Sequence, residues 1–145
     1  GLLIGKRTAE KVKIEVGNVS PRDIKEARSV VVRGRDLETG LPKSIKMNEV
    51  EVREAIGLEV AKVAKAVSMV LDETPPELME DILKRGIVMV GNGAKLRGLD
   101  QLIEEEVGIS TSVADEPGLG VIKGILEIIE NRELFDRIKT VSGIR

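Results

Sequence analysis

Apolar residues recur at Val52, Ile56, Val60, Val63, Val67 and Val70, three or four positions apart, and predict one face of a long helix from Glu49 to about Asp72. Valine is a modest helix former, so burial of that face has to hold the helix together. Thr74-Pro75-Pro76 ends it and predicts a second helix, with Thr74 as N-cap, Pro75 at the first position and a stop near Arg85-Gly86. Ile87-Val88-Met89-Val90 is an unbroken apolar run before Gly91-Asn92-Gly93, the pattern of a central strand buried on both faces. A helix from Leu96 to Val107 closed by Gly108 follows, then a strand from Ile109 to Val113. Asp115-Glu116-Pro117 opens a helix to about Asn131, and Glu133 to Val141 reads as a polar terminal helix. Helices alternating with strands predict a layered α/β domain.

The pattern before Asn48 is different. Residues 6–13 read as a short helix with Thr8 as N-cap, and Lys13 to Gly17 alternates like a strand with Ile14 and Val16 on one face. Ser20-Pro21-Arg22-Asp23 has turn chemistry. Val30-Val31-Val32 predicts a strand reaching about Asp36. Glu38-Thr39-Gly40 predicts a turn and Lys43 to Met47 a second strand, which together make a hairpin.

Composition narrows the chemistry more than the fold. Across 145 residues, 41% hydrophobic and 33% charged is the balance of a folded globular chain. The 23 basic and 25 acidic residues nearly cancel, so no nucleic-acid partner is expected. Phe135 is the single aromatic, which excludes a base-stacking platform. Without cysteine or histidine there is no disulfide, no thiolate or imidazole metal site and no serine–histidine triad. The lack of cysteine fits a reducing cytoplasm. No apolar run approaches the roughly 18–20 residues of a membrane span. Gly1 to Gly5 is too short and lacks the basic stretch of a signal peptide. A start without Met, inside an apparent element, reads as a piece of something longer.

Two groups of residues could carry binding chemistry. The turn Gly91, Asn92, Gly93 and Ala94 follows a strand and precedes a helix. In open α/β sheets ligands bind beyond the carboxyl ends of strands, where glycines let the backbone come close and helical N–H groups are free. Lys95 and Arg97 could add positive charge. The same glycines also suit a plain tight connection, and the spacing is neither a Walker A loop nor a G-x-G-x-x-G fingerprint. Glu10 and Lys13 share a helix face at i and i+3, so a ribose hydroxyl could meet the carboxylate and a base or phosphate the ammonium; a solvated ion pair is the plainer reading.

Larger blocks of the sequence resemble the MreB/Mbl family of bacterial actin-like proteins. These are Leu3-Ile4-Gly5 with Arg7-Thr8-Ala9-Glu10, Val12 to Gly17, Arg33-Gly34-Arg35-Asp36-Leu37, Thr39-Gly40-Leu41-Pro42-Lys43, Glu51 to Ala55, Thr74 to Leu78, Arg85-Gly86-Ile87 and Leu96-Arg97-Gly98-Leu99-Asp100. They fall in the family's order over nearly the whole chain. The resemblance implies an α/β chain forming part of the actin/Hsp70/sugar-kinase (ribonuclease H-like) fold, within its second lobe. Residues 1–48 would be a small peripheral subdomain containing the β-hairpin, and 49–145 the α/β part of the larger subdomain. It further implies that Glu10, Lys13, Gly91, Asn92, Gly93 and Ala94 line the adenosine side of an ATP site. The family usually has a third glycine where Asn92 stands, an acid at Lys6, and Leu-Thr-Ala where this chain has Gly118-Leu119-Gly120. Phosphate hairpins, the water-positioning acid and the residues that carry Mg would belong to the first lobe, so no hydrolysis by this stretch alone is expected.

The expected partners are copies of the same chain, as filament subunits or a homodimer, the family's first lobe and, through the full-length protein, the membrane. A self-associating α/β scaffold that no longer binds nucleotide is the alternative. A small sugar-kinase-like enzyme would need the acid and phosphate loops that this stretch does not carry.

Overall fold

The computed structural model describes residues 1–22 and 26–142, with side chains as far as residue 139. Its elements are β1 (Leu2–Leu3), α1 (Lys6–Val16), β2 (Ser29–Asp36), β3 (Pro42–Asn48), α2 (Glu49–Asp72), α3 (Pro76–Arg85), β4 (Ile87–Met89), α4 (Leu99–Val107), β5 (Thr111–Val113), α5 (Gly120–Glu130) and α6 (Arg132–Ser142). Short 3-10 turns lie at Asn92–Lys95 and Pro117–Leu119. β1, β2 and β3 form an antiparallel sheet in that order, whereas β4 and β5 pair in parallel.

Helix α2 is the element both cores share. Val52 packs with Val12, Val16 and Val32 under the antiparallel sheet, while Val60 and Ala64 pack with Val19, Leu99 and Ile103 beside the parallel pair. Ile56 lies between and touches both clusters. Each fully buried valine contributes roughly 1.5–3 kcal/mol relative to exposure. The N-terminus of α2 is closed by a capping box: the Asn48 side chain accepts from the N–H groups of Val50 and Glu51, and Glu51 accepts from the Asn48 N–H. The expected face drifts along the helix. Val63 and Val70 are exposed, Val70 to 66%, and Ala64 is buried instead.

Four local expectations are corrected. Residues 13–17 are not a strand; they complete α1, because Val12 and Val16 at i and i+4 share the buried face while Ile14 is 72% exposed. Gly5, not Thr8, is the N-cap of α1. Thr74 does not cap α3: its hydroxyl donates back to the Val70 carbonyl at 2.7 Å, Pro75 is the N-cap and Pro76 opens the helix. β4 buries one face, not two. Ile87 and Met89 pack on the core, but Val88 and Val90 are 59% and 55% exposed, and β5 is β4's one strand neighbour among the described residues. Asp23 of the expected turn lies outside the described residues.

The hairpin between β2 and β3 is organised by a carboxylate. Asp36 accepts from Lys43 at 2.5 Å and from the N–H groups of Glu38 and Thr39 at 2.8 and 3.2 Å. The Lys43 hydrogen bond above all, then the two backbone donors, hold its carboxyl at about 2, down from 3.8.

The two cores are joined at Glu49, the first residue of α2, which is only 2% exposed. Its Oε1 accepts from the Asn18 amide at 2.7 Å and lies 3.5 Å from Arg97 Nη1. Its Oε2 accepts from the Arg28 N–H at 3.0 Å and lies 3.7 Å from that residue's Nε. Burial alone would raise its pKa; the Arg28 N–H, the Asn18 amide and the charges of Arg28 and Arg53 outweigh it, and the value lies below the ordinary 4.5. Both depressed carboxylates stabilise the fold fully above their ordinary pKa values. That stability drains away as pH falls through their folded values, near pH 2 for Asp36.

Glu49→Gln should lower stability by about 2–4 kcal/mol, since an amide NH2 must face one of the two donors, the Arg28 N–H or the Asn18 NH2, and two guanidinium groups lose their counter-charge. Urea unfolding followed by circular dichroism measures this, and an unchanged midpoint would refute it.

Candidate functional site

β4 and β5 run in parallel in the register Ile87↔Thr111, Val88↔Ser112 and Met89↔Val113, so their carboxyl ends reach the same edge. The chains leaving them stay side by side. The Ala114 N–H donates to the Met89 carbonyl at 3.1 Å and the Gly91 N–H to the Pro117 carbonyl at 2.6 Å. Two short 3-10 turns therefore lie against each other just beyond the strand ends, the edge at which open α/β sheets form their ligand crevice.

The glycine turn is shaped by backbone needs and by space. Gly91 sits at φ 87°, a conformation open chiefly to glycine, and its N–H is committed to Pro117. Ala94 and Leu96 donate back to the carbonyls of Gly91 and Gly93. Asn92 and Gly93 are then the first N–H groups of the turn, those a helical turn leaves for outside acceptors. A Cβ added at Gly91 or Gly93 would meet nothing within 4 Å, so this backbone edge borders open space. Ala94 faces inward and is buried.

Glu10 and Lys13 lie on α1 as an exposed ion pair of 2.7 Å. No hydrogen bond or ion pair links them to residues 91–94 among the described residues. What meets is the end of α1 and the residues that follow the glycine turn. A Cβ on Gly17 would lie 3.0 Å from Leu96, Asn18 forms a parallel bridge with Arg97, and the Val19 N–H donates to the Arg97 carbonyl at 2.8 Å. The last turn of α1 thus abuts the residues just after the glycine turn.

The charges expected to follow the turn divide. Arg97 reaches toward Glu49, so its charge serves the junction of the cores. The charge of Lys95 acts on Glu116 at the opposite turn. Glu116 has φ 47°, rare for a residue with a side chain, and pairs with Lys123 of α5. The Lys123 hydrogen bond chiefly, with that lysine's charge, holds the Glu116 carboxyl below its ordinary range. Sequence reasoning missed Glu116, Pro117 and Gly118 as parts of this crevice. The signal available was their position after the second strand of the pair. Among the described residues there is no group of three or more side chains able to hold a metal ion.

Comparison with known proteins places this arrangement. Three solved structures share it: MreB5 of Spiroplasma citri bound to ADP, at TM-score 0.78 and 34% identity, covering 90% of this chain and 41% of that one; the same protein bound to AMPPNP, at 0.83 and 32%, covering 96% and 40%; and a MamK double helical filament, at 0.72 and 21%, covering 90% and 39%, a likeness of fold. The fold is that of the matching part of these actin-like proteins, mixed α/β with a small antiparallel sheet at one end.

Residues 1–137 match the MreB/Mbl protein family, and the chain belongs to it. The cell shape-determining protein Mbl of Bacillus subtilis (strain 168) is 43% identical over 139 residues, covering 92% of this chain and 41% of its own length. The cell shape-determining protein MreB of Escherichia coli (strain K12) is 43% identical over 133 residues, covering 90% and 38%. The chain spans about two fifths of the length of these curated relatives.

The crevice depends on one close approach behind it. Gly98 has φ 78°, and a Cβ there would lie 2.2 Å from the Ser20 nitrogen. Gly98→Ala should destabilise by about 2 kcal/mol or more, whereas Gly93→Ala should stay within about 0.5 kcal/mol. Thermal unfolding of the two variants side by side checks this, and equal melting temperatures would overturn it.

Proposed function

We propose that this chain supplies the adenosine side of an ATP-binding cleft in a bacterial actin-like, filament-forming, cell-shape protein. The observation that carries the reading is the Gly91–Pro117 hydrogen bond, which sets an open glycine turn and its partner turn side by side at the carboxyl ends of two parallel strands. The matched structures carry ADP and AMPPNP, and the curated relatives determine cell shape, which supports it. On this reading the backbone of Gly91–Ala94 lies against the nucleoside, with the Asn92 and Gly93 N–H groups as donors. The Glu10 carboxylate takes a ribose hydroxyl and Lys13 the base or a phosphate. Bound ATP would bring its phosphates and Mg. On the same reading, hydrolysis falls to the phosphate-handling parts of a family protein. Residues 1–48 then form the small subdomain and 49–145 the α/β part of the larger one. The protein works in the bacterial cytoplasm, with subunits of its own kind as partners and the membrane reached through the full-length assembly.

Calorimetry with Mg-ATP should give a Kd tighter than about 1 mM, weakened several-fold by Glu10→Ala or Gly93→Val. Phosphate release should stay at the buffer rate. The absence of binding heat would reject the reading, and sustained phosphate release would reject its non-hydrolytic part.

A second reading, self-association without nucleotide binding, is favoured by one observation. Val88, Val90 and Val113 on the parallel strands and Ile122, Ile125 and Ile129 on α5 are all exposed. Apolar surface of this extent is normally covered by a partner. Light scattering should then give a mass above the 15.8 kDa monomer, and Ile125→Glu should lower it. A monomer at millimolar concentration would exclude this reading.

A further inference from the structure

We propose that Asn92 is a ligand-facing, specificity-determining residue of the crevice, and that its carboxamide is held in place by the bare backbone of Gly118. The inference rests on the nucleotide reading above and adds a residue pair to it. A Cβ on Gly118 would lie 2.4 Å from Asn92 Oδ1, 3.2 Å from its Cγ and 3.5 Å from its Nδ2. The carboxamide therefore occupies the space that a side chain at 118 would take. Gly118 is not among the glycines at positive φ, so its backbone would accept another residue. What position 118 lacks room for is a side chain beside Asn92.

The placement matters because of where the pair sits. Asn92 opens the turn after β4, and Gly118 lies in the turn after β5. The Gly91–Pro117 hydrogen bond fixes those two turns together one residue away from each member of the pair. The Asn92 side chain is exposed and makes no hydrogen bond to the protein among the described residues. It therefore keeps an acceptor oxygen and two N–H donors unused at the crevice. A carboxamide offers a donor and an acceptor side by side, which suits the amino and ring-nitrogen edge of adenine. The pair thus converts an otherwise featureless glycine turn into one that hydrogen-bonds its ligand through a side chain.

The test uses the whole chain and Mg-ATP as probe, with Asn92→Ala, Gly118→Ala and the double variant. Asn92→Ala should weaken ATP binding about three- to tenfold, the loss of one neutral hydrogen bond. Gly118→Ala should cause a similar loss by pushing the carboxamide aside, and the double variant should be no worse than either single one. The side-chain NH2 resonances of Asn92, identified by their absence from Asn92→Ala, should shift in Gly118→Ala without ligand. Unmoved resonances would overturn the seating of the carboxamide. ATP binding that is equal in the parent chain and Asn92→Ala would overturn its ligand-facing role alone. No ATP binding by the parent chain would instead reject the nucleotide reading, with the resonances still deciding the seat.

Discussion

The carboxylate of Glu49 gathers groups from three separate stretches: Asn18 after α1, Arg28 before β2 and Arg97 after the glycine turn. It does so from the first residue of α2, where the helix end also favours a negative charge. Taking that carboxylate out of water is expensive, and only its full set of donors makes the position tolerable. One donor is imperfectly used, since Arg97 Nη2 is buried with no hydrogen-bond partner among the described residues. Apolar residues of similar volume could hold these segments together as firmly, but they would not fix which segments meet or in what register. The ion cluster does. It places the antiparallel sheet, α1 and the glycine turn in one frame around the start of a single helix.

The crevice inherits that frame. Arg97, held by Glu49, gives its carbonyl to the Val19 N–H. Gly98 next to it lets the chain pass against Ser20, whose hydroxyl meets the Gln101 side chain at 2.5 Å. The end of α1 is thereby fastened to the residues following the glycine turn. On the other side, the turn is fastened to Pro117. The exposed edge at Gly91–Gly93 is thus a short open stretch between two anchored ones, the usual way a rigid scaffold presents a binding backbone.

Much of the architecture was legible because it rests on local pattern. The face of α2, the hairpin and the apolar run of β4 all follow from spacing and turn chemistry. The failures have specific physical causes. Ile14 and Val16 alternate as in a strand, yet Val12 and Val16 also satisfy the helical period, and burial under the sheet decided between the two. Thr74 could cap α3, but its hydroxyl found the Val70 carbonyl one turn back. The continuous run at 87–90 suggests cover on both faces, and the described residues cover one, that of Ile87 and Met89. Glu49 looked like any acid at a helix start, because its partners lie 31 and 21 residues away and no local rule names them. The Gly91–Ala94 turn was found from its place after a strand. Its contact with Pro117 and Gly118 depends on β5 pairing beside β4, which spacing alone does not state.

How firmly these elements are tied together bears on what half of a binding site can do. A ligand that must order its own site pays for the loss of that freedom, so a site already held in place binds better with the same contacts. Here the carboxyl ends of β4 and β5, the turns that follow them and the last turn of α1 are cross-linked by short hydrogen bonds and one buried ion cluster. These turns are therefore held in place by the protein's own contacts, without a ligand. Glu10 and Lys13, by contrast, sit on the exposed face of α1 and, among the described residues, pair with each other. Ribose or phosphate contact would exchange that pair for ligand partners at little net cost, because exposed ion pairs are worth at most about 1 kcal/mol. The rigid part of the site is the backbone turn, and the adaptable part is the α1 pair. On the nucleotide reading proposed above, a nucleoside owes its position to Gly91–Ala94 and its fine adjustment to Glu10 and Lys13.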